Sequence, residues 1–285
     1  MNSSEIRHVD LPWPAANTNK YARGKLTVVA GSARYSGAAV LAALASQRMG
    51  AGYTEVVTDP KAVNVVRIAS PSLVVRSTDE WKPGELAQSL EDKPCAVCIG
   101  PGFAPDDENA AELVARVLKK APCPVVVDGG GLARLATKKN LQSLANRFGD
   151  GLATVITPHG GEAARLARSL GLPTGNEERL VAALSLATQT IVVLKGPDTY
   201  ISNGKTTECM KAGTPALAKA GTGDVLAGMI AALLAQGMNP FDAAALGTSL
   251  HALAGSAAAE AFTEISVVAE DVIAAIPQAI LQYSR

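Results

Sequence analysis

Short runs rich in β-branched residues alternate with alanine-rich stretches of helical length along nearly the whole chain, and this rhythm restricts the available folds more than any other feature. "KLTVVA" at 25–30 reads as a strand and "GAAVLAALASQRM" after it as a helix. "YTEVVT", "SLVVR", "CAVCIG", "CPVVVD", "ATVI" and "TIVVLKG" read as further strands. "ENAAELVARVLKK" is a helix between "CAVCIG" and "CPVVVD", and another helix follows "TPHGGE". "TYISNGKTTEC" reads as a hairpin turning on Asn203-Gly204. The last part is helical: "DVLAGMIAALLAQG", "FDAAALGTSLHALAGSAAAEAF" and a short amphipathic tail. Strands that alternate with helices imply right-handed βαβ units, hence an α/β fold with a mostly parallel central sheet and helices on both faces. No linker, low-complexity tract or fixed-period repeat interrupts the pattern, so a single domain is expected.

Composition narrows the class further. A chain of 285 residues with 48% hydrophobic and 18% charged residues buries a substantial core. Aromatics are only 4%, so that core is built from Ala, Val, Leu and Ile. The 26 basic and 26 acidic residues cancel. Without a concentrated positive field, neither nucleic acid nor an anionic membrane surface is expected as a partner. The N-terminus "MNSSEIRHVDLPWPAANTNK" has no apolar core of a secretory signal, and "VLAGMIAALLA" is too short to span a bilayer. Of the four cysteines, Cys95 and Cys98 form "CAVC", and Cys123 and Cys209 sit alone in the sequence. Residues three apart on a strand point to opposite faces, so inert buried thiols in a reducing cytoplasm are the expectation.

The placement of the unusual residues says more about chemistry. Gly31-Ser32, Gly100-Pro101-Gly102, Asp128-Gly129-Gly130-Gly131, Thr157-Pro158-His159 and Lys195-Gly196 each follow a strand. In open α/β sheets, ligands bind beyond the carboxyl ends of the strands, and all five clusters fall on that edge.

A sixth cluster, "AKAGTGDVLAGMI" at 218–230, sets Asp224 between a glycine-rich turn and an apolar helix. Gly221 and Gly223 permit close backbone approaches, and the amides from Thr222 to Leu226 stand at a helix start where several lack intrahelical partners. With the helix dipole they form a phosphate cradle. The segment is neither a Walker A loop nor a Rossmann fingerprint. Asp224 has two readings: an N-cap worth about 1 kcal/mol, or an acceptor carboxylate that orients a hydroxyl toward phosphorus. Lys195 either contacts phosphate or reaches solvent. His159 either caps the next helix or meets a ligand. His8 and His251 read as structural. Glu162 either complements the helix dipole or holds a water of a phosphate-bound Mg2+. No cluster of His, Cys and carboxylates has direct metal-ligand spacing.

Taken in order, "GSARYSGAAVLAALASQRMGAGY", "IGPGF", "VVVDGGGL", "VITPHGGEAARL", "VVLKGPDTYI" and "ALAKAGTGDVLAGMI" resemble the nucleotide-dependent NAD(P)H-hydrate dehydratases, which have a ribokinase-like fold. The resemblance runs from about Gly24 to Pro277. The AGTGD segment alone is shared with many ribokinase-like kinases; T-P-H-x-G-E combined with G-A-A-x-L-A is the more specific signature. The resemblance implies a carbon–oxygen lyase that repairs NADH hydrate or NADPH hydrate. ADP or ATP would phosphorylate the ring hydroxyl, with ADP favoured, after which phosphate leaves and the ring double bond returns. It further implies that Ala38, Gly102, His159 and Asp224 contact the hydrated dinucleotide. Lys195, Gly196, Pro197, Asp198, Thr199 and Gly223 would line the adenine-nucleotide site. Asp224 would be the base, the amides of Gly221, Thr222 and Gly223 an anion hole, and Mg2+ a cofactor without direct protein ligands.

Two departures from the family pattern stand out: Gly160 replaces the proline of "TPHPGE", and Gly129-Gly130-Gly131 replaces an alanine-containing "DA-x-AL". The expected organisation is a leader at 1–23 followed by the dehydratase domain at 24–285. The family also occurs fused to an N-terminal epimerase, so an epimerase acting with this chain is expected as a separate protein. A homo-oligomer, commonly a tetramer, is the family expectation. The alternatives are a small-molecule kinase of the same fold, of the hydroxyethylthiazole kinase type, and a silent nucleotide-binding sensor.

Overall fold

The computed structural model describes residues 4–5, 8–88, 93–104 and 106–285. In chain order the elements begin with β1 (Ser4–Glu5), β2 (Lys25–Val29), α1 (Ser36–Arg48), β3 (Tyr53–Thr58), α2 (Val63–Ala69), β4 (Val74–Ser77) and α3 (Glu85–Gln88). The middle third holds β5 (Cys95–Ile99), α4 (Glu108–Lys120), β6 (Val125–Val127), α5 (Lys138–Gly149), β7 (Thr154–Ile156), α6 (Gly160–Ser169) and α7 (Glu177–Thr188). The chain continues with β8 (Ile191–Leu194), β9 (Thr199–Ser202), β10 (Thr207–Met210), α8 (Thr222–Ala235), α9 (Pro240–Ser266) and α10 (Ala269–Tyr283). Short 3-10 turns occupy Gly129–Arg134 and Pro215–Leu217.

The strands form one sheet in the order β1-β10-β9-β8-β7-β6-β5-β2-β3-β4. Every pairing from β8 through β4 is parallel; β9 and β10 form an antiparallel hairpin on β8, and β1 lies parallel to β10. From β2 the chain steps outward through β3 and β4, then returns to the other side of β2 as β5 and proceeds to β8. The order therefore reverses between β2 and β5, and a ligand crevice is expected at the carboxyl ends of those two strands.

Side-chain alternation splits the core into two layers. Val28, Cys98, Val126, Val155 and Val193 face the layer containing α1, α8, α9 and α10. Their neighbours Val29, Val97, Val127, Ile156 and Val192 face the layer containing α4, α5, α6 and α7. A strand buried on both faces needs apolar residues at every position, and that is why these runs read as continuous rather than alternating. The alanine-rich helices follow from close packing: a Cβ on Gly228 of α8 would lie 2.2 Å from the carbonyl oxygen of Ala42 in α1.

Three details differ from the sequence reading. The hairpin is present, but Ser202 pairs with Thr207, so its loop spans four residues. Asn203 Oδ1 holds that loop by accepting from the amides of Lys205 and Thr206 at 3.0 and 2.8 Å. Helices α2, α5 and α7 were not marked in the sequence. Cys123 is not isolated in space: the β5–β6 register that pairs Val97 with Val125 brings its thiol into hydrogen-bonding reach of Cys95. The break of α9 at Thr263, whose φ of 71° and ψ of 151° are non-helical, agrees with a helix read as ending at Phe262.

The segment before Gly24 is tied to the rest. Val9 is buried in the first core layer, and its amide donates to the Tyr283 hydroxyl at 2.8 Å. No helix among the described residues is long and apolar enough to cross a membrane.

Candidate active site

The loops after β2, β5, β6, β7 and β8 all emerge at one edge of the sheet, and α8 starts beside them. Gly221 is the N-cap of α8 with φ 93°, a left-handed conformation that a Cβ would strain. Asp224 is therefore not the cap; it sits in the first turn at the third helical position. Thr222 Oγ1 donates to the carbonyls of Leu217 at 2.7 Å and Lys219 at 2.9 Å, pinning the turn to the preceding 3-10 segment. The Thr222 amide makes only a long bond of 3.4 Å to Lys219 O. The amides of Gly221, Gly223 and Asp224 have no partner among the described residues, which leaves three donors at a positive helix end.

Lys195 follows β8 and does not reach for solvent. Its Nζ lies 2.7 Å from Asp128 Oδ1, and Thr157 Oγ1 donates to the same oxygen at 2.6 Å. Burial opposes the lysine charge, but the carboxylates of Asp128, Glu162 and Asp224 more than offset this and hold its pKa above the ordinary value. A Cβ at Gly223 would stand 3.1 Å from Nζ, so a glycine there gives the lysine its place under the turn. Asp224 is pushed the other way. Burial first, then the nearby Asp128 and Glu162 carboxylates, outweigh Lys195 and raise its pKa to about 7.

His159 caps α6, as one of its two readings held. Its Nδ1 accepts from the amides of Gly161 and Glu162 at 3.0 and 3.4 Å, and Glu162 Oε2 accepts from the His159 amide at 2.9 Å. The same residue also lines a cavity of about 740 Å³, so capping and ligand contact are compatible. Lys195, Gly196, Pro197, Thr199 and Gly223 line it too, with an apolar wall that includes Leu217 and Leu226. Asp198 lies in the same β8–β9 loop without lining the cavity.

Ala38 and Gly102 meet at the reversal point between β2 and β5. A Cβ on Gly102, whose φ is 70°, would fall 2.8 Å from Ala38 Cβ and 2.6 Å from the Tyr35 carbonyl. Ser32 Oγ donates to the Gly102 carbonyl at 2.8 Å and closes this corner. Beside it lies a second cavity of about 550 Å³, lined by Gly31, Ser32 and Phe103 among others. Gly130 fits only as glycine, since a Cβ would meet the Phe103 carbonyl at 2.2 Å.

Three residues had no individual role assigned in the sequence, although Asp128 and Thr157 stood in two of the strand-end clusters. Asp128 is 2% exposed and grips Lys195 from 67 positions away, a partnership that local sequence does not encode. Thr157 orients Asp128. His251, read as structural, lines the same cavity as Lys195 and lies close enough to the Thr222 backbone to feel it. No group of three or more His, Cys, Asp or Glu side chains placed to hold a metal occurs among the described residues. Glu162, close enough to act on both Lys195 and Asp224, has the oxygen chemistry that a water-bridged Mg2+ requires.

Comparison with known proteins agrees with this geometry. The family model described as NAD(P)H-hydrate dehydratase matches residues 26–278. The chain is 32% identical to an ADP-dependent (S)-NAD(P)H-hydrate dehydratase of Xanthomonas campestris pv. campestris, covering 93% of this chain and 91% of that protein. It is 33% identical to a bifunctional NAD(P)H-hydrate repair enzyme of Thermofilum pendens over 88% of this chain, and spans about half (49%) of that longer protein. The Bacillus subtilis ADP/ATP-dependent NAD(P)H-hydrate dehydratase, co-crystallised with ATP/Mg2+, superposes with a TM-score of 0.81 at 28% identity, covering 99% of both chains. A hydroxyethylthiazole kinase from Pyrococcus horikoshii shares the fold alone, with a TM-score of 0.60 and 17% identity over 91% of this chain and 88% of its own. With a family match over most of its length, this ribokinase-like chain belongs to the NAD(P)H-hydrate dehydratases.

Proposed function

We propose that the chain returns the (6S) hydrate of NADH or NADPH to the reduced dinucleotide, with ADP preferred over ATP as phosphoryl donor. The observation that carries this reading is a carboxylate, Asp224, raised to a pKa of about 7 in the first turn of α8, beside amides that have no partner. A group with that pKa is half ionised near neutral pH, which suits a general base. Asp224 takes the proton of the ring hydroxyl as its oxygen attacks the terminal phosphorus of the nucleotide. The P–O bond to the leaving nucleotide breaks, and the ring carries a phosphate ester. Loss of that phosphate, with loss of a ring proton, restores the double bond.

In this reading the amides of Gly221, Thr222 and Gly223 take the charge that develops on the transferred phosphoryl oxygens. Lys195, Gly196, Pro197, Asp198, Thr199 and Gly223 bind the nucleotide. Ala38, Gly102, His159 and Asp224 bind the hydrated dinucleotide. Asp128 is a positioning residue, because it fixes Lys195 beneath the turn. Mg2+, when bound with the nucleotide, neutralises charge on the phosphoryl oxygens, and Glu162 would hold it through water. The cavity supports the roles of His159, Lys195, Gly196, Pro197, Thr199 and Gly223, and the free amides those of Gly221 and Gly223.

The same reading includes a homo-oligomer of four chains and a link to an NAD(P)H-hydrate epimerase; the half-length match to bifunctional repair enzymes supports the latter. Cytoplasmic location is part of it, in keeping with four free cysteines. The test is to incubate the protein with chemically hydrated NADPH and either ADP or ATP, and to follow the return of reduced-nicotinamide absorbance. Recovery is expected with both, faster with ADP. No recovery with either, alongside phosphorylation of a thiazole alcohol, establishes the kinase instead.

A further inference from the structure

The cavity beside the α8 turn has a largely apolar wall, into which α9 sets two polar side chains. Thr248 and His251 stand three residues apart on α9, so they share one helix face, and both line that cavity. They are 4% and 8% exposed. Neither Thr248 Oγ1 nor His251 Nε2 has a hydrogen-bond partner among the described residues. Buried helical hydroxyls ordinarily return to the carbonyl four residues back, as the adjacent Ser249 does to Ala245 O at 3.0 Å. Thr248 does not.

The imidazole of His251 narrows the chemistry. Burial drives its pKa down to about 4, so the ring is neutral at physiological pH. A neutral imidazole has one donor and one acceptor nitrogen. The Thr222 backbone acts on the ring against burial, which puts the proton on the nitrogen facing it and assigns the unpartnered Nε2 as the acceptor. A buried polar atom without a partner keeps the full cost of its lost hydration. Two of them, side by side on one helix in the wall of one cavity, call for a ligand that supplies partners.

We propose that Thr248 and His251 read the nucleoside of the phosphoryl donor: His251 Nε2 accepts from a donor group of adenosine, either the exocyclic amine or a ribose hydroxyl, and the Thr248 hydroxyl bonds the atom next to it. The inference rests on the nucleotide reading of this cavity and adds its specificity. A base with a carbonyl in place of the amine would set acceptor against acceptor at His251, and a deoxyribose would leave it unpaired.

Calorimetric titration without the hydrated dinucleotide tests this independently of turnover. ADP, inosine diphosphate, 2′-deoxy-ADP and 3′-deoxy-ADP are titrated into wild type, Thr248→Val and His251→Phe. The valine variant is nearly isosteric and keeps the test intact should the phenylalanine variant fail to fold. Wild type is expected to bind ADP about tenfold more tightly than at least one analogue, and that analogue identifies the group being read. In the variants ADP affinity falls about three- to tenfold and the ratio to that analogue approaches one. Equal affinity of wild type for all four ligands, or unchanged ratios in the variants, overturns the pair while leaving nucleotide binding in place. No ADP binding by wild type overturns both the pair and the nucleotide reading beneath it.

Discussion

In the proposed mechanism Asp224 is the base, and its titration gives two linked expectations. Activity needs the ionised form, so kcat/KM should rise with pH through about 7 and level off above it. A flat profile between pH 6 and 9 would remove the base role. Stability runs the opposite way. The folded-state pKa of about 7 lies above the ordinary 3.8, so the unfolded chain releases this proton first as pH rises from about 4 to 7. Ionisation of Asp224 thus lowers stability across that window and takes nothing further above it. Asp224→Asn should melt above wild type at pH 8, lose that advantage below about pH 4, and lose about a hundred- to ten-thousandfold in turnover while still binding ADP. Part of this was legible in the sequence: an acid after G-T-G before an apolar run marks a helix start, and Lys195 stands visibly at a strand end. Asp128 was not, because its meaning lies in a lysine 67 positions later. His251 was not, because an apolar helix does not announce which of its faces borders a cavity.

At the level of elements, the parallel core was readable since strands covered on both faces must be apolar at nearly every position. One helix that escaped notice had a readable signal: α5, "KKNLQSLANRFG", sets Leu141, Leu144, Ala145 and Phe148 at helical spacing, and its Thr137 cap accepts from Asn140 N at 3.2 Å. The four-residue hairpin loop escaped because Asn203-Gly204 suggests a two-residue turn, whereas Asn203 here bonds the loop amides instead. The α6 start offers a test of a departure from the family pattern. Gly160 is its first residue, a Cβ there meets nothing within 4 Å, and His159 before it is extended at φ −79° and ψ 168°. That geometry accepts proline without a clash, at the cost only of the weak bridge from the residue-160 amide to the end of β8. Gly160→Pro should stabilise the protein by about 0.4–1 kcal/mol through the unfolded chain, and leave turnover within about twofold. A lower melting temperature would show that the loop needs the glycine.

For the molecule as a whole, the candidate site depends on elements far apart in sequence: α8 brings Asp224 to strand ends set by β6 and β8, and α9 closes the cavity beside the α8 turn. The α9–α10 junction also leaves Phe262, Ile265 and Val268 at 52%, 88% and 45% exposure next to the break at Thr263. Grouped apolar exposure of this kind suits a subunit contact. Light scattering is expected to give four chains per particle, and Ile265→Glu to lower that number without loss of the far-ultraviolet dichroism; a monomer at micromolar concentration would remove the tetramer. The cooperation between turn and acid is tested most directly by a crystal structure with ADP. The account predicts its terminal phosphate on the amides of Gly221 to Gly223, with the Asp224 carboxylate facing the phosphorus across space for one hydroxyl. Phosphates bound away from that turn, or Asp224 folded out of reach of the nucleotide, would contradict it.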